Sequence, residues 1–327
     1  MSTRLELLKV LTEHKNQYLS GQALASSLGL SRNAIWKAIE LLKKQGYQID
    51  SKPSVGYKLL GDADILSKDA ILENLNRPAR IKIFDSVTST STVAMNETLG
   101  DEPIVIIANS QTAGRGRLGR SFFAPADSGL YMSIVFKPSF DLEQATLVTM
   151  ATAIAVCEAI ETLAKVSPRI KWVNDIFVDG KKVCGILTEA ATNFESGNID
   201  KLVIGIGVNC YETLFPADLL DIAAPLAVER TSFARNDLAA AILQNLFQRL
   251  DHLGDRALIM DYKKRCFILG KKIIVKPNLD AGEAIKARAI DIEEHGGLVV
   301  EYLQGKMSRE MHTITTGEVS IVPDDEY

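Results

Sequence analysis

Apolar residues in the first sixty positions recur first at helical and then at strand spacing. "LELLKVL" (5–11) repeats them on one helix face, and "SGQALASSLGLSRNAIWKAIELLKKQG" (20–46) predicts two more helices around a tight turn. Ser20 is placed to cap the first of these, Gly29 to make the turn and Ser31 to cap the second. In the second helix Ile35, Ile39 and Leu42 fall at i, i+4 and i+7 and face a core, leaving Arg32, Asn33, Trp36, Lys37 and Lys43 outside. "YQIDSKPSVGYKLL" (47–60) then alternates with period two around Lys52, Pro53 and Gly56, the pattern of a hairpin wing.

Gly61, Asp62 and Asp64 mark a boundary, and Ser67 precedes a short helix. Beyond it strands and helices mix: "IKIF" and "PIVIIANS" read as strands, and "LYMSIVFKP" as a strand that alternates. "EQATLVTMATAIAVCEAIETLAK" reads as a long helix covering a sheet, and "RIKWVNDIFVDGKKVCGILTEA" as two strands around Asp179-Gly180. "KLVIGIGVNC" predicts another strand and "NDLAAAILQNLFQRLDHL" an amphipathic helix. From about residue 270, "KKIIVK", "EAIKARAIDIEEHGGLVVEYL" and "MHTITTGEVSIVP" alternate and break at glycines, as in a small β-barrel. The fold class expected is α+β multidomain, with domains at 1–62, 63–269 and 270–327.

Composition narrows the function. With 46 % hydrophobic and 24 % charged residues in 327, the chain is globular rather than disordered. Its net charge of −4 excludes a protein that coats nucleic acid over its whole surface. The first sixty residues, however, hold nine Lys/Arg against four Asp/Glu. A basic winged helix-turn-helix suits DNA: Arg32 and Asn33 can read base edges while Lys37 and Lys52 hold phosphate, with Ser31 and Trp36 beside them. A helical protein-interaction domain with a solvated charged face is the alternative. Cys157, Cys184, Cys210 and Cys266 are widely spaced in apolar surroundings and read as buried free thiols. With no apolar signal core at the N-terminus and no run approaching the roughly 18 residues of a membrane span, the expected place is the cytoplasm.

The chemistry concentrates in three stretches. "GRGRLGR" (114–120) has neither the ending of a P-loop nor the spacing of a dinucleotide motif. Its glycines let backbone amides approach an anion and its guanidiniums offer bidentate donors, so it is either an anion-binding loop or a solvated turn. "KWVND" (171–175) sets a cation, an aromatic and a carboxylate at alternating strand positions, Lys171, Val173 and Asp175 on one face. In "GKKVCGIL" (180–187) one lysine of Lys181 and Lys182 points inward; Lys182, of the parity of Cys184 and Ile186, is expected to be that one.

In this order "SVTSTSTVAMN", "QTAGRGRLGR", "KWVND", "GKKVCGIL" and "GIGVN" resemble the biotin–protein ligases, and the N-terminal helices and wing resemble those of members that also repress biotin operons. The likeness covers nearly the whole chain and implies a central mixed sheet followed by an SH3-like barrel. The activity implied is formation of biotinoyl-5′-AMP from biotin and ATP, then transfer of biotin to a lysine of a carrier domain of acetyl-CoA carboxylase. By the resemblance, Lys182 and Arg117 are catalytic; Ser89, Thr90, Ser91 and Gln111 meet the biotin head group; Gly114 and Gly116 approach the ligand by backbone. Arg115 and Arg117 close over the adenylate, a loop disordered until ligand arrives, Arg120 helps to neutralise the reacting anions, and Phe122 and Phe123 lie near the biotin tail and adenine. Lys171 and Asp175 lie near phosphate and metal and Asn209 on the purine side, with Asn174 and Gly185 also among the ligand-binding residues. Mg2+ accompanies ATP, with no protein metal site named. The implied partners are biotin carboxyl carrier protein, operator DNA and a second copy of the chain when biotinoyl-AMP is bound, with no membrane. Ser91 stands where the family usually has Asn or Gln, Val173 replaces a common Pro and Phe122 a common Trp. A ligand-sensing repressor without catalysis, and a ligase for another acid such as lipoate, are the alternatives.

Overall fold

The computed structural model describes residues 3–14, 16–44, 47, 49–60, 64–141, 144–192, 199–228, 232–276, 284–304, 309–315 and 318–321. Gly61 and Asp62 of the expected boundary, and Thr316-Gly317 near the C-terminus, lie outside these. The chain divides into two compact units: residues 1–67 with 234–236, and residues 68–233 with 237–327.

In the first unit α1 (Thr3–Glu13), α2 (Gly21–Leu28) and α3 (Arg32–Lys44) enclose one apolar core with a hairpin of β1 (Ile49–Lys52) and β2 (Gly56–Leu59). The caps are as the sequence implied. Ser20 Oγ accepts from the Ala23 amide at 3.0 Å, Ser31 Oγ from the Ala34 amide at 3.2 Å, and Gly29 turns the chain at φ 64°. Ile35, Ile39 and Leu42 are buried with Leu7, Leu11 and Leu24. Asp64, at the end of this unit, is buried against Arg235, whose Nε donates to Oδ2 at 2.6 Å and whose amide donates to Oδ1 at 2.7 Å. A buried carboxylate needs such full pairing to be tolerated.

The second unit is built on a seven-stranded sheet. Its strands are β3 (Arg80–Phe84), β4 (Ile104–Ala108), β5 (Gly129–Phe136), β6 (Arg169–Lys171), β7 (Asp175–Val178), β8 (Lys181–Thr192) and β9 (Ile199–Asn209). Their order is β3-β4-β5-β9-β8-β7-β6; only β3 and β4 pair in parallel. One face is covered by α6 (Ala145–Leu163), where Thr149 and Thr188 hydroxyls meet at 2.8 Å, and the other by α5 (Thr90–Met95). Short α4 (Lys68–Leu72) precedes β3; α7 (Arg235–Leu250) and α8 (Arg256–Arg265) follow β9. The C-terminal residues form an antiparallel five-stranded sheet. It is made of β10 (Lys272–Lys276), β11 (Ile285–Ile292), β12 (Leu298–Tyr302), β13 (Met311–Ile314) and β14 (Glu318–Ile321), in the order β13-β12-β11-β10-β14.

Three expectations change. β5 does not alternate: seven of its eight residues are buried, because it lies mid-sheet with a layer on each face. "KWVND" is not a continuous strand but the turn of a hairpin that pairs Lys171 with Asp175; the pairing sets these two on one face, as expected, while alternation does not run through the three turn residues between them. The Trp172 side chain leaves toward the β11–β12 turn, where its Nε1 donates to the Gly296 carbonyl at 3.0 Å. α6 is long and apolar enough, by length and composition, to cross a membrane, contrary to the sequence reading; 72 % of that stretch is buried inside the fold, as for a core helix. The Asp179-Gly180 turn stands as expected, with φ of 48° and 78°.

Candidate active site

A cavity of about 310 Å³ opens on the sheet face that carries α5, with β8 and β9 as its floor. Glycines make that floor flat. A Cβ on Gly207 would lie 2.6 Å from the Phe122 ring, one on Gly205 2.6 Å from Ser91 Oγ, and one on Gly185 3.1 Å from Lys182 Nζ. All three glycines therefore point into the cavity, and side chains from elsewhere occupy the room they leave.

Lys182 is on this face, but not for the reason alternation suggested. β7 and β8 slip by one residue: Ile176 pairs with Cys184 while Phe177 pairs with Lys182, so Val183 is a bulge. The bulge turns Lys182 to the side of Gly185, away from Cys184 and Ile186. Its ammonium sits 2.7 Å from Asp175 Oδ1. Its backbone amide donates to the Ile222 carbonyl at 2.8 Å and its carbonyl accepts from Ala224 at 3.1 Å, which seats the 219–224 segment against the end of β8. Burial pushes the Cys184 thiol well up, so it is a neutral core group and no nucleophile; all four cysteines are free and buried as expected.

The opposite end of the cavity is a hydroxyl and amide relay. Gln111 Oε1 accepts from the Thr90 amide at 2.8 Å and its hydroxyl at 3.1 Å; Ser133 Oγ donates to Thr90 Oγ1 at 2.8 Å and meets Ser91 Oγ at 3.1 Å. Ser89 is the N-cap residue of α5, yet its hydroxyl makes no cap bond. A merely structural cap would make one. Ser91, where the family usually has an amide, is thus tied into the relay and sits over Gly205.

The Gly/Arg stretch is folded over the cavity. Arg115 bridges Ser121, Arg117–Gly119 make a single 3₁₀ turn, and the Gly116 amide donates to the Arg120 carbonyl at 2.7 Å. Two side chains anchor it: Arg115 Nη2 lies 2.7 Å from Glu189 Oε1, and Arg117 Nη1 donates to Asn174 Oδ1 at 3.1 Å. Phe122 packs edge-on to Tyr131 at 6.3 Å, and Phe123 pairs with Phe215 at 6.1 Å. Five cations thus line the cavity (Arg115, Arg117, Arg120, Lys171 and Lys182) with Asp175 as their carboxylate counterpart. In a chain of net charge −4, this is a concentrated positive site suited to an anion.

Of the expected ligand-binding residues, the cavity gathers every one except Gly114. Gly114 is required by the loop itself: its carbonyl accepts from the Phe122 amide at 2.8 Å, and a Cβ there would run into the Phe122 carbonyl. Asn209 stands at the other margin, its Nδ2 3.5 Å from the Lys182 carbonyl. Sequence reasoning missed Gly205 and Gly207, whose alternate placement in a strand was the available signal, and Leu219, Ile222 and Ala223, which had none. Among the described residues no three His, Cys, Asp or Glu side chains converge as a metal cage.

In the first unit the expected DNA face is exposed. Arg32, Asn33, Trp36 and Lys37 lie outside the core, Trp36 with half its surface free, and Ser31 caps the helix that carries them. Lys52 Nζ lies 5.0 Å from the Tyr18 ring centre and Lys58 Nζ 4.7 Å, while the Tyr18 hydroxyl donates to Asp50 and holds its carboxyl below the usual range.

Residues 83–209 match the model of the biotin/lipoate A/B protein ligase family and residues 3–58 an HTH domain model. The chain is 30 % identical over 318 residues to the bifunctional ligase/repressor BirA of Bacillus spizizenii, covering 92 % of this chain and 95 % of that one. It is 34 % identical over 231 residues to the protein of that name in Bacillus subtilis, covering 68 % and 70 %. The biotin protein ligase from Aquifex aeolicus in complex with biotin and ATP shares the fold, with a TM-score of 0.61 at 23 % identity over 74 % of this chain and 98 % of that one. Similar from the N-terminal helices to the C-terminal sheet to a protein that joins both activities, the chain belongs to the biotin–protein ligase family, in its bifunctional ligase/repressor branch.

Proposed function

We propose that the chain makes biotinoyl-5′-AMP from biotin and ATP, passes the biotinoyl group to a carrier lysine, and represses transcription through its N-terminal unit. The observation that carries the ligase reading is the five-cation cavity with a neutral hydroxyl and amide relay at its far end. Biotin has the matching polarity: a neutral ureido head that exchanges hydrogen bonds with Ser89, Thr90, Ser91 and Gln111, and a carboxylate that reaches Lys182.

A carboxylate oxygen attacks the α-phosphorus of ATP, the P–O bond to the β-phosphate breaks, and pyrophosphate leaves. Both reactants are anions, so the first obstacle is charge. Lys182 exchanges Asp175 for the biotin carboxylate and the transferring oxygens; Arg115, Arg117 and Arg120 spread over the phosphates. Phe122, on the glycine floor, walls the biotin tail; Phe123, with Asn209, borders the purine. In the second step a carrier lysine amine attacks the acyl carbon and AMP leaves. Mg2+ bound with the triphosphate would be held by phosphate oxygens, Asp175 and the Asn174 amide, in keeping with its use of one or two carboxylates plus substrate, and it supplies further neutralisation. Gly116 and Gly185 leave room for the ligand; Lys171 sits across the hairpin from Asp175 and adds charge.

The DNA-binding surface is Arg32, Asn33, Trp36 and Lys37 on α3, Ser31 at its cap, and Lys52 on the wing. The carrier is biotin carboxyl carrier protein, the adenylate-bound form is a homodimer on operator DNA, and the site of action is the cytoplasm. The three functional segments are 1–62, 63–269 and 270–327, the last an SH3-like barrel. Native mass spectrometry after incubation with biotin and Mg·ATP tests the ligase reading. One biotinoyl-AMP per chain is expected; biotin bound but unconverted would leave a sensor only, and no biotin binding would reject the reading.

A further inference from the structure

The wing carries a cluster that the DNA surface above does not use. Leu19 and Tyr57 exchange backbone bonds of 2.9 Å each, so the chain before α2 runs beside β2 as a third strand. The approach is close: a Cβ on Gly56, at φ 133°, would stand 2.1 Å from the Leu19 carbonyl oxygen. Leu19 opposite Tyr57 sets Tyr18 beside Lys58, and Lys58 is paired with Asp50 across the hairpin. Leu19, Tyr57, Ile49 and Leu59 pack on the core, so Tyr18, Lys58, Asp50 and Lys52 share the outer face.

An acid directly opposite a lysine on one face of an antiparallel pair favours an ion pair. Here the Asp50 carboxylate accepts from the Tyr18 hydroxyl instead, and among the described residues no ion pair joins it to Lys58 or Lys52. Both ammoniums lie over the Tyr18 ring, Lys58 Nζ 4.7 Å and Lys52 Nζ 5.0 Å from its centre. Two like charges gathered at one ring repel each other, and an exposed ring returns little to either. Anions beside them remove that cost.

We propose that Lys58 and Lys52 hold neighbouring backbone phosphates of DNA at the Tyr18 ring, and that Tyr18 is a positioning residue that keeps the Asp50 carboxylate from neutralising Lys58. The site rests on the DNA-binding reading and extends its surface by Tyr18 and Lys58. A backbone phosphate is the fitting occupant because the cluster includes Lys52 of that surface, in a segment whose first sixty residues hold nine Lys/Arg against four Asp/Glu. Phosphates carry no sequence, so the site adds affinity without choosing among operators.

Full-length protein, with biotin and Mg·ATP present, is titrated onto a mixed-sequence duplex over a range of salt. Lys58→Gln should lower the slope of log K against log salt by about 0.9, the share of one phosphate contact. Tyr18→Phe should lower it as much, because the released Asp50 carboxylate then pairs with Lys58 across the hairpin. Adding Asp50→Asn to Tyr18→Phe should return the slope to the parental value. An unchanged slope in Lys58→Gln or in Tyr18→Phe, or a double variant that stays low, would each overturn the site; the last is the result expected if Tyr18 only packs the wing. Replacing chloride by inorganic phosphate at equal ionic strength should weaken duplex binding alike in parent and Lys58→Gln. A selective loss in the parent would make this a site for free phosphate and overturn its assignment to DNA. A parent that binds without any salt slope ends the DNA reading and the site together, whereas a sloping parent matched by all three variants ends the site alone.

Discussion

Adding one methyl group at Gly207 tests the geometry of the cavity floor. The new Cβ would sit 2.6, 2.7 and 3.1 Å from three atoms of the Phe122 ring. Carbon pairs settle at about 3.5–4.0 Å, so the ring must retreat by about 1 Å. It has little freedom to do so in place. The Phe122 amide is bonded to the Gly114 carbonyl, the next residue Phe123 is held against Phe215, and Arg115 and Ser121 bridge the loop just before it. The loop must therefore rise or the ring must swing into the cavity that it walls. Overpacking of this kind costs about 1–3 kcal/mol, which corresponds to roughly a 5- to 150-fold loss in any equilibrium that needs the closed loop. Calorimetric titration of Gly207→Ala with biotin, and pyrophosphate release with biotin and ATP, should show that loss in affinity and in rate. Gly100→Ala is the matched control: nothing lies within 4 Å of a Cβ there, so both quantities should stay at the parental value. If Gly207→Ala binds biotin within two-fold of the parent, the ligand does not rest on this floor and the placement of biotin above is wrong.

Three further outcomes are expected. Lys182→Gln keeps most of the stem and removes the charge; loss of one preorganised electrostatic contact of this kind costs about 10²–10³ in rate, so pyrophosphate release should fall by that factor, and a fall under ten-fold would remove Lys182 from the chemistry. Burial pushes the Cys266 thiol up from 9.0 to about 11. The unfolded chain therefore loses this proton first as pH rises, so the contribution to stability is full below pH 9 and is lost between pH 9 and about 11; denaturant midpoints across that range should decline, and the four buried thiols should react with a disulfide reagent at pH 8 only after unfolding. Lys37→Gln should lower the slope of log K against log salt for operator DNA by about 0.9, whereas Asn33→Ala should flatten preference among operator variants with no change of slope. Equal slopes for parent and Lys37→Gln would take that lysine off the phosphate backbone.

What the sequence disclosed and what it hid divide along the range of the interactions concerned. Ser20, Gly29 and Ser31 could be placed from the sequence because a cap is decided within four residues of itself, and the structure has each bond where the pattern put it. The Asp179-Gly180 turn is equally local. The residues of the cavity were legible as chemical types in a recurring order, but their directions were not. "KWVND" looked like a strand because nothing nearby says that Lys171 will pair with Asp175 and make a turn of the three residues between them. Glu189 looked like one more polar residue in a strand, since its meaning depends on Arg115, seventy-four positions away. The segment around Leu219 and Ile222 carries no signal at all, for it is placed by backbone bonds to Lys182 and by the Lys181 ammonium on the Leu220 carbonyl, contacts some forty positions away. Lys182 itself is the sharpest case. It was picked as the inward lysine by a parity that the bulge at Val183 reverses, so a correct residue came from a rule that does not apply. Regular alternation from Cys184 would turn the Lys182 side chain to the face of Thr188, against α6 and away from the cavity. One residue added to β8 and not to β7 puts it instead 2.7 Å from Asp175 and over the floor made by Gly185. The ammonium of the cavity is thus positioned by register, a property of two strands together that neither strand's own sequence contains.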